Sequence, residues 1–212
     1  MAGLLREMDC VIYIQNNADT VIIVLHEIYG INSHIIGVCN RLAEEKYDVL
    51  CPNLLSGRQV PFHYNEEPMA YQYFMQHVGF ALAQQQVEEL LLPIRDQYRY
   101  CFIVGYSIGA TIAWLCSRSQ GICGVVGFYG SRIRDYKAIE PNCPVLLIFP
   151  EKEESFDVDL LMQEVLVNKN VSAVKANALH GFADPWSRRY SKAAGEQFLA
   201  QTIAFINSCG DR

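Results

Sequence analysis

The runs Val21-Ile22-Ile23-Val24-Leu25 and Val145-Leu146-Leu147-Ile148-Phe149 are apolar at every position. A strand with one wet face would alternate apolar with polar residues. These two must therefore be covered on both faces, as happens inside a parallel sheet. Shorter β-branched stretches recur along the chain, giving seven expected strands at residues 10–14, 21–26, 49–52, 100–104, 124–129, 145–149 and 172–176. Helical spacing fills the gaps, at residues 33–45, 70–98, 107–119, 157–168 and 191–207. The last of these sets Phe198, Leu199, Thr202, Phe205 and Ile206 at helix spacing. The second is long enough for two helices, with Gly79 as the break. This alternation predicts an α/β chain: a doubly wound, mostly parallel sheet with helices on both faces and right-handed crossovers.

The 212 residues fit one domain spanning residues 1–212, with no internal repeat, no linker and no separate cap domain. Apolar residues make up 51% and charged residues 19%, ample for a large core. A net charge of −6, with no local basic run, argues against nucleic acid as a partner. The eight cysteines are scattered without a CxxC pair, so neither a zinc site nor a thioredoxin-like motif is expected. Reduced thiols fit the cytoplasm. Met1 to Glu7 lacks the charge-then-apolar order of a signal peptide, and no apolar run approaches the ~18 residues of a membrane helix. A soluble, intracellular protein is expected, with no membrane partner. Residues 53–68, which include Pro61, Phe62, His63 and Tyr64, form one long irregular stretch suited to border a pocket.

Chemistry concentrates where the strand Tyr100-Cys101-Phe102-Ile103-Val104 runs into Gly105-Tyr106-Ser107-Ile108-Gly109-Ala110 and then into a helix. A G-x-S-x-G pattern alone is weak. Between a strand and a helix it reads as a tight turn that lifts a serine hydroxyl above the sheet, with a helix N-terminus beneath it. A serine hydroxyl needs a base, and of five histidines only His180 follows Ser107. His180 sits just beyond the last expected strand, at the same end of the sheet. The acid that would orient it should follow the strand at 145–149, where Glu151, Glu153, Glu154 and Asp157 all occur. The residues alone leave the choice among those four open.

With these blocks in hand, the chain resembles the dienelactone hydrolase family of α/β-hydrolases over nearly its whole length. Besides the elbow, the matching stretches are His26-Glu27-Ile28-Tyr29-Gly30-Ile31-Asn32, His180-Gly181-Phe182-Ala183-Asp184-Pro185 and the closing helix. The resemblance implies an α/β-hydrolase fold and cleavage of a small carboxylic ester, lactone or thioester. Nothing in the sequence suggests a required metal or organic cofactor. The resemblance places Glu153 on the family's aspartate, and it implies an oxyanion hole made by the backbone N–H groups of Ile28 and Ile108. Glu27, Tyr29 and Tyr106 are expected around the pocket. Two departures stand out: Ser107 replaces the type member's cysteine, and Asp184 stands where a substrate-binding arginine would be. The second points toward an uncharged substrate, unless Arg58, Arg188 or Arg189 supplies another clamp. Tyr29, Phe62, Tyr64, Tyr129 and Trp186 are the aromatic candidates for the pocket mouth. An acyltransferase would use the same acyl-enzyme. A non-catalytic ligand-binding or interaction protein retaining the fold is the reading from a different class, motivated by the crowded acid loop and the altered clamp.

Overall fold

Residues alternate across the strands with period two, and both sides of the alternation are dry. Val21, Ile23 and Leu25 join one core cluster while Ile22 and Val24 join a second. Val145, Leu147 and Phe149 likewise separate from Leu146 and Ile148. A strand apolar on both faces has to sit between two layers of helices. That is the architecture in the computed structural model, which describes residues 10–210; the N-terminal stretch Met1 to Glu7 lies outside them.

Among the described residues, seven strands form one sheet: β1 (Cys10–Ile14), β2 (Thr20–Leu25), β3 (Asp48–Pro52), β4 (Tyr100–Tyr106), β5 (Gly124–Phe128), β6 (Val145–Phe149) and β7 (Val171–Lys175). Their order is β1-β3-β2-β4-β5-β6-β7, with β1 antiparallel to β3 and every other pair parallel. The chain winds outward from β2 to β3, then crosses back to β4 and winds the other way. Strand order therefore reverses between β2 and β4, and in such sheets a crevice opens at the carboxyl ends of the strands at that point.

Helices α1 (Ser33–Glu44) and α6 (Lys192–Gly210) cover one face through Ile35, Cys39 and Leu42 and through Ala194, Phe198 and Ile206. The other face is covered by α2 (Glu67–His77), α3 (Gly79–Ile94), α4 (Ile108–Cys116) and α5 (Val158–Val165). The expected break at Gly79 is present, with φ at +66°, a region costly for side chains other than glycine. Helix α4 is buried at all nine positions. Its Trp114 is fully enclosed and satisfies its indole N–H on the Tyr136 carbonyl at 2.9 Å. Truncating a side chain so placed costs about 3–5 kcal/mol.

Strand β3 begins one residue earlier than its apolar pattern, at the buried Asp48. That carboxylate accepts from the Asn16 and Ala18 amides at 2.7 and 3.1 Å and from the Tyr98 hydroxyl at 2.6 Å. It clamps the amino-terminal end of the sheet, opposite the crevice. Cys39, Cys101, Cys116 and Cys143 are buried thiols outside any disulfide. Among the described residues, no helix is long and apolar enough to cross a membrane.

Candidate active site

The turn after β4 is forced by two glycines. A Cβ on Gly105 would lie 2.2 Å from the Gly109 carbonyl oxygen, and one on Gly109 would lie 2.2 Å from that of Leu25. Helix α4 can therefore start directly against β2 and β4 only if both positions lack side chains. Ser107 absorbs the bend with φ 53° and ψ −112°. Such a conformation costs a non-glycine residue about 1–3 kcal/mol and persists only where the surroundings hold it. Here they do: the Ser107 amide donates to the Phe128 carbonyl at 2.9 Å, and its own carbonyl accepts from the Ala110 and Thr111 amides at 3.1 and 3.2 Å.

The hydroxyl so raised meets His180. Ser107 Oγ lies 3.2 Å from His180 Nε2, and His180 Nδ1 lies 2.6 Å from Glu153 Oε1. A carboxylate only accepts, so Nδ1 carries the proton and donates to Glu153. That leaves Nε2 as the acceptor for the serine hydroxyl. Of the four carboxylates after β6, Glu153 is the one that bonds to His180. Asp157 instead caps α5, taking the Leu160 amide at 3.1 Å, while Glu151 and Glu154 are exposed. Behind the imidazole stands the Tyr129 ring, its centroid 4.9 Å away.

Ile28 and Ile108 line the same cavity as Ser107 and His180. Ile108 is the first residue of α4, so its N–H has no acceptor one turn earlier in the helix. Ile28 lies in the turn after β2, which the Gly30 amide closes on the Glu27 carbonyl at 3.1 Å. Glu27 is buried below. Burial chiefly, and the charge of Asp184 next, raise its carboxyl to about 7, against a smaller opposing pull from His180. The buried Tyr129 hydroxyl is near enough to interact with that carboxyl electrostatically, but not in hydrogen-bonding geometry.

The cavity has a volume of about 540 Å³. Its lining includes the acidic and aromatic side chains Glu27, Tyr29, Tyr64, Glu67, Tyr71 and Asp184. Asp184 is buried and accepts from the Tyr64 hydroxyl at 2.6 Å and the Trp186 amide at 2.8 Å. The Tyr64 oxygen in turn accepts from Asn32 Nδ2 at 3.0 Å, and Asn32 caps α1. Three loops are thereby knotted around the opening. Trp186, Arg188 and Arg189 lie at the rim.

Several sequence expectations land elsewhere. Tyr106 does not line the cavity; it is buried on the α1 side of the sheet, stacked on Phe128 at 4.6 Å and edge-on to His34 at 5.1 Å. Alternation explains this, since Phe102, Val104 and Tyr106 share one face of β4. Arg58 stacks over Phe62 at 3.6 Å beside a separate cavity of about 150 Å³, away from Ser107. Phe62 and Tyr129 are buried supports, whereas Tyr29, Tyr64 and Trp186 do line the site. Glu67, Tyr71 and Arg132 were not foreseen. Glu67 and Tyr71 are one turn apart on α2, so helical periodicity applied from residue 67 would have put them on one face. Arg132 has no local signal: it comes from the short 3₁₀ turn Ser131–Asp135 and forms an ion pair with Asp135 at 2.7 Å.

The model of the dienelactone hydrolase family matches residues 8–210. The chain belongs to the dienelactone hydrolase family. As a member of that family it is a hydrolase acting on ester bonds, with the α/β-hydrolase fold. The uncharacterized protein YczH of Bacillus subtilis is 40% identical over 174 residues, which are 81% of this chain and 85% of YczH. The crystal structure named "Putative Dienelactone Hydrolase" from Klebsiella pneumoniae subsp. pneumoniae superposes with a TM-score of 0.75 at 22% identity, covering 88% of this chain and 86% of that one. The dienelactone hydrolase-like promiscuous phosphotriesterase P91, from metagenomic libraries, superposes with a TM-score of 0.70 at 16% identity over 90% of this chain and 86% of its own. At those identities, the two structures speak to the fold of this family member.

Proposed function

We propose that this dienelactone hydrolase relative is a serine esterase that cleaves small uncharged carboxylic esters, lactones or thioesters through an acyl-enzyme. One observation carries the reading: the unbroken line from Ser107 Oγ through His180 to Glu153, with spans of 3.2 and 2.6 Å, opening on the 540 Å³ cavity. His180 Nε2 takes the serine proton as Oγ attacks the acyl carbonyl. The amides of Ile28 and Ile108 hold the oxyanion of the tetrahedral intermediate. The imidazolium, stabilised by Glu153, then protonates the departing alcohol or thiol. Water enters, loses its proton to His180, and releases the acid by the same steps in reverse order.

The substrate class follows from charge. Glu27, Glu67 and Asp184 line the cavity with Ser107 and would repel a substrate carboxylate beside them, while Arg132 is paired with Asp135 and Arg188 and Arg189 stand exposed at the rim. Tyr29, Tyr64 and Tyr71 offer apolar ring faces to a neutral acyl or alkoxy group. The buried thiols fit a reducing compartment such as the cytoplasm. A fluorophosphonate probe should label the wild-type protein and leave Ser107→Ala unlabelled, with hydrolysis of neutral esters lost in parallel. Equal labelling of both proteins would remove Ser107 from the reaction.

A further inference from the structure

His26 is wholly buried just after β2 and does not line the cavity, yet both of its ring nitrogens are engaged. Nε2 lies 2.9 Å from the Leu54 amide nitrogen, and Nδ1 lies 2.6 Å from the Glu27 carbonyl oxygen. A backbone amide only donates, so Nε2 is the acceptor. The ring proton is therefore on Nδ1 and is given to the Glu27 carbonyl. Burial lowers the imidazole to about 4, which keeps the ring neutral and this tautomer in place.

The carbonyl that receives that proton belongs to the same peptide group as the Ile28 N–H. A peptide group is planar and trans, so fixing the direction of its C=O fixes the direction of its N–H on the opposite side. The Glu27 carbonyl accepts a second hydrogen bond from the Gly30 amide at 3.1 Å. Two donors on one carbonyl withdraw electron density through the amide and make its N–H a stronger donor. The far side of the imidazole is braced by Leu54, in the loop after β3. That loop is tied again to the oxyanion turn where the Phe62 amide donates to the Tyr29 carbonyl at 2.9 Å.

We propose that His26 is a positioning residue for the reaction, its Nδ1–H aiming and polarising the Glu27–Ile28 peptide so that the Ile28 amide binds the developing oxyanion. The proposal rests on the acyl-enzyme reading above. It separates two effects that a purely structural histidine would leave joined: folded stability and transition-state binding.

The test compares wild type, His26→Leu and His26→Gln with a neutral ester and with a trifluoromethyl ketone, whose hemiketal on Ser107 places an oxyanion in the hole. Deleting one oxyanion donor outright costs about 10²–10³ in kcat, so misaiming one should cost about ten- to a hundredfold. His26→Leu is expected to lower kcat by that amount with KM changed less than about twofold, and to weaken the ketone by the same factor as kcat/KM. His26→Gln, which again offers one acceptor and one donor, is expected to recover most of both. Should His26→Leu fail to fold, His26→Phe takes its place, since its ring fills similar space and carries no donor. The inference is overturned if the folded Leu or Phe variant keeps wild-type kcat and ketone affinity while only its melting temperature falls. Turnover and hemiketal formation surviving in Ser107→Ala would sink the acyl-enzyme reading instead, whatever the His26 variants do.

Discussion

Replacing Glu27 by Gln should flatten one part of the stability profile of this protein. The Glu27 carboxyl is raised from 4.5 to about 7, first by burial and then by the charge of Asp184. Between those pH values the folded chain holds a proton that the unfolded chain has released, so raising the pH favours unfolding. The penalty is absent below pH 4.5, accumulates up to about pH 7 and is constant beyond it. At about 1.4 kcal/mol per unit it reaches about 3 kcal/mol. His26 and His34 act with the opposite sign. Burial lowers both from 6.5 to about 4, so their contribution to stability is lost as the pH falls through that window. The wild-type profile mixes these trends, whereas the difference between wild type and Glu27→Gln isolates the carboxyl. Urea unfolding at intervals from pH 4 to 8.5 measures it. With a slope of about 3 kcal/mol per molar urea, the midpoint of Glu27→Gln should gain about 1 M on wild type between pH 4 and pH 8. Parallel profiles, with a constant gap at every pH, would refute the argument that ionising Glu27 inside the fold is what costs stability.

Ser107→Gly should raise stability by about 1 kcal/mol, because relief of the strained turn outweighs the extra chain entropy of glycine, while abolishing ester turnover; thermal melting and a kinetic assay read the two together. Glu153→Gln should lower kcat by about 10³–10⁴ with little change in KM, since an amide neither holds the imidazole in the required tautomer nor stabilises its cation; steady-state kinetics decide it. Tyr64→Phe removes the hydroxyl from the buried Asp184 and should cost about 1–3 kcal/mol by urea unfolding, with no comparable loss in Asn32→Ser, which keeps a cap on α1.

How far the sequence reached depended on whether the deciding force was local. The strands at 21–25 and 145–149 were visible because unbroken apolar runs of that length fit a doubly covered strand, and the other five because short β-branched stretches recur between helical patterns. The break at Gly79 was visible because glycine is the residue that takes φ +66° cheaply. Boundaries moved where long-range bonds took over. Asp48 enters β3 because Asn16, Ala18 and Tyr98 satisfy it, and Tyr98 lies fifty residues away. Helix α4 ends at Cys116 rather than at 119, with the Ser117 hydroxyl turned back onto the Trp114 carbonyl at 2.6 Å. In the site, Ser107 and His180 followed from chain order and the choice of Glu153 from resemblance; the geometry brings all three together. Glu67 and Tyr71 share one face of α2, but nothing near them says that this face meets the cavity, and Arg132 arrives on a short turn with no local signal at all.

The buried helix α4 gives the two halves of the proposed catalytic pair unequal permanence. The serine side is rooted in a helix buried at every position, whose amides exchange with solvent only when the domain opens widely. The histidine side hangs from β7, an edge strand with one neighbour, on a segment where Asn177, Leu179 and Trp186 face water. Its local opening frees Phe182 and breaks the bonds of Asp184 but leaves both helix layers packed on the sheet. On the proposed mechanism, mild denaturant should therefore silence the enzyme reversibly by withdrawing His180 while Ser107 stays in place. The chain carries its own reporters of that sequence of events: of its two tryptophans, Trp114 is sealed inside α4 and Trp186 stands 54% exposed on the histidine loop.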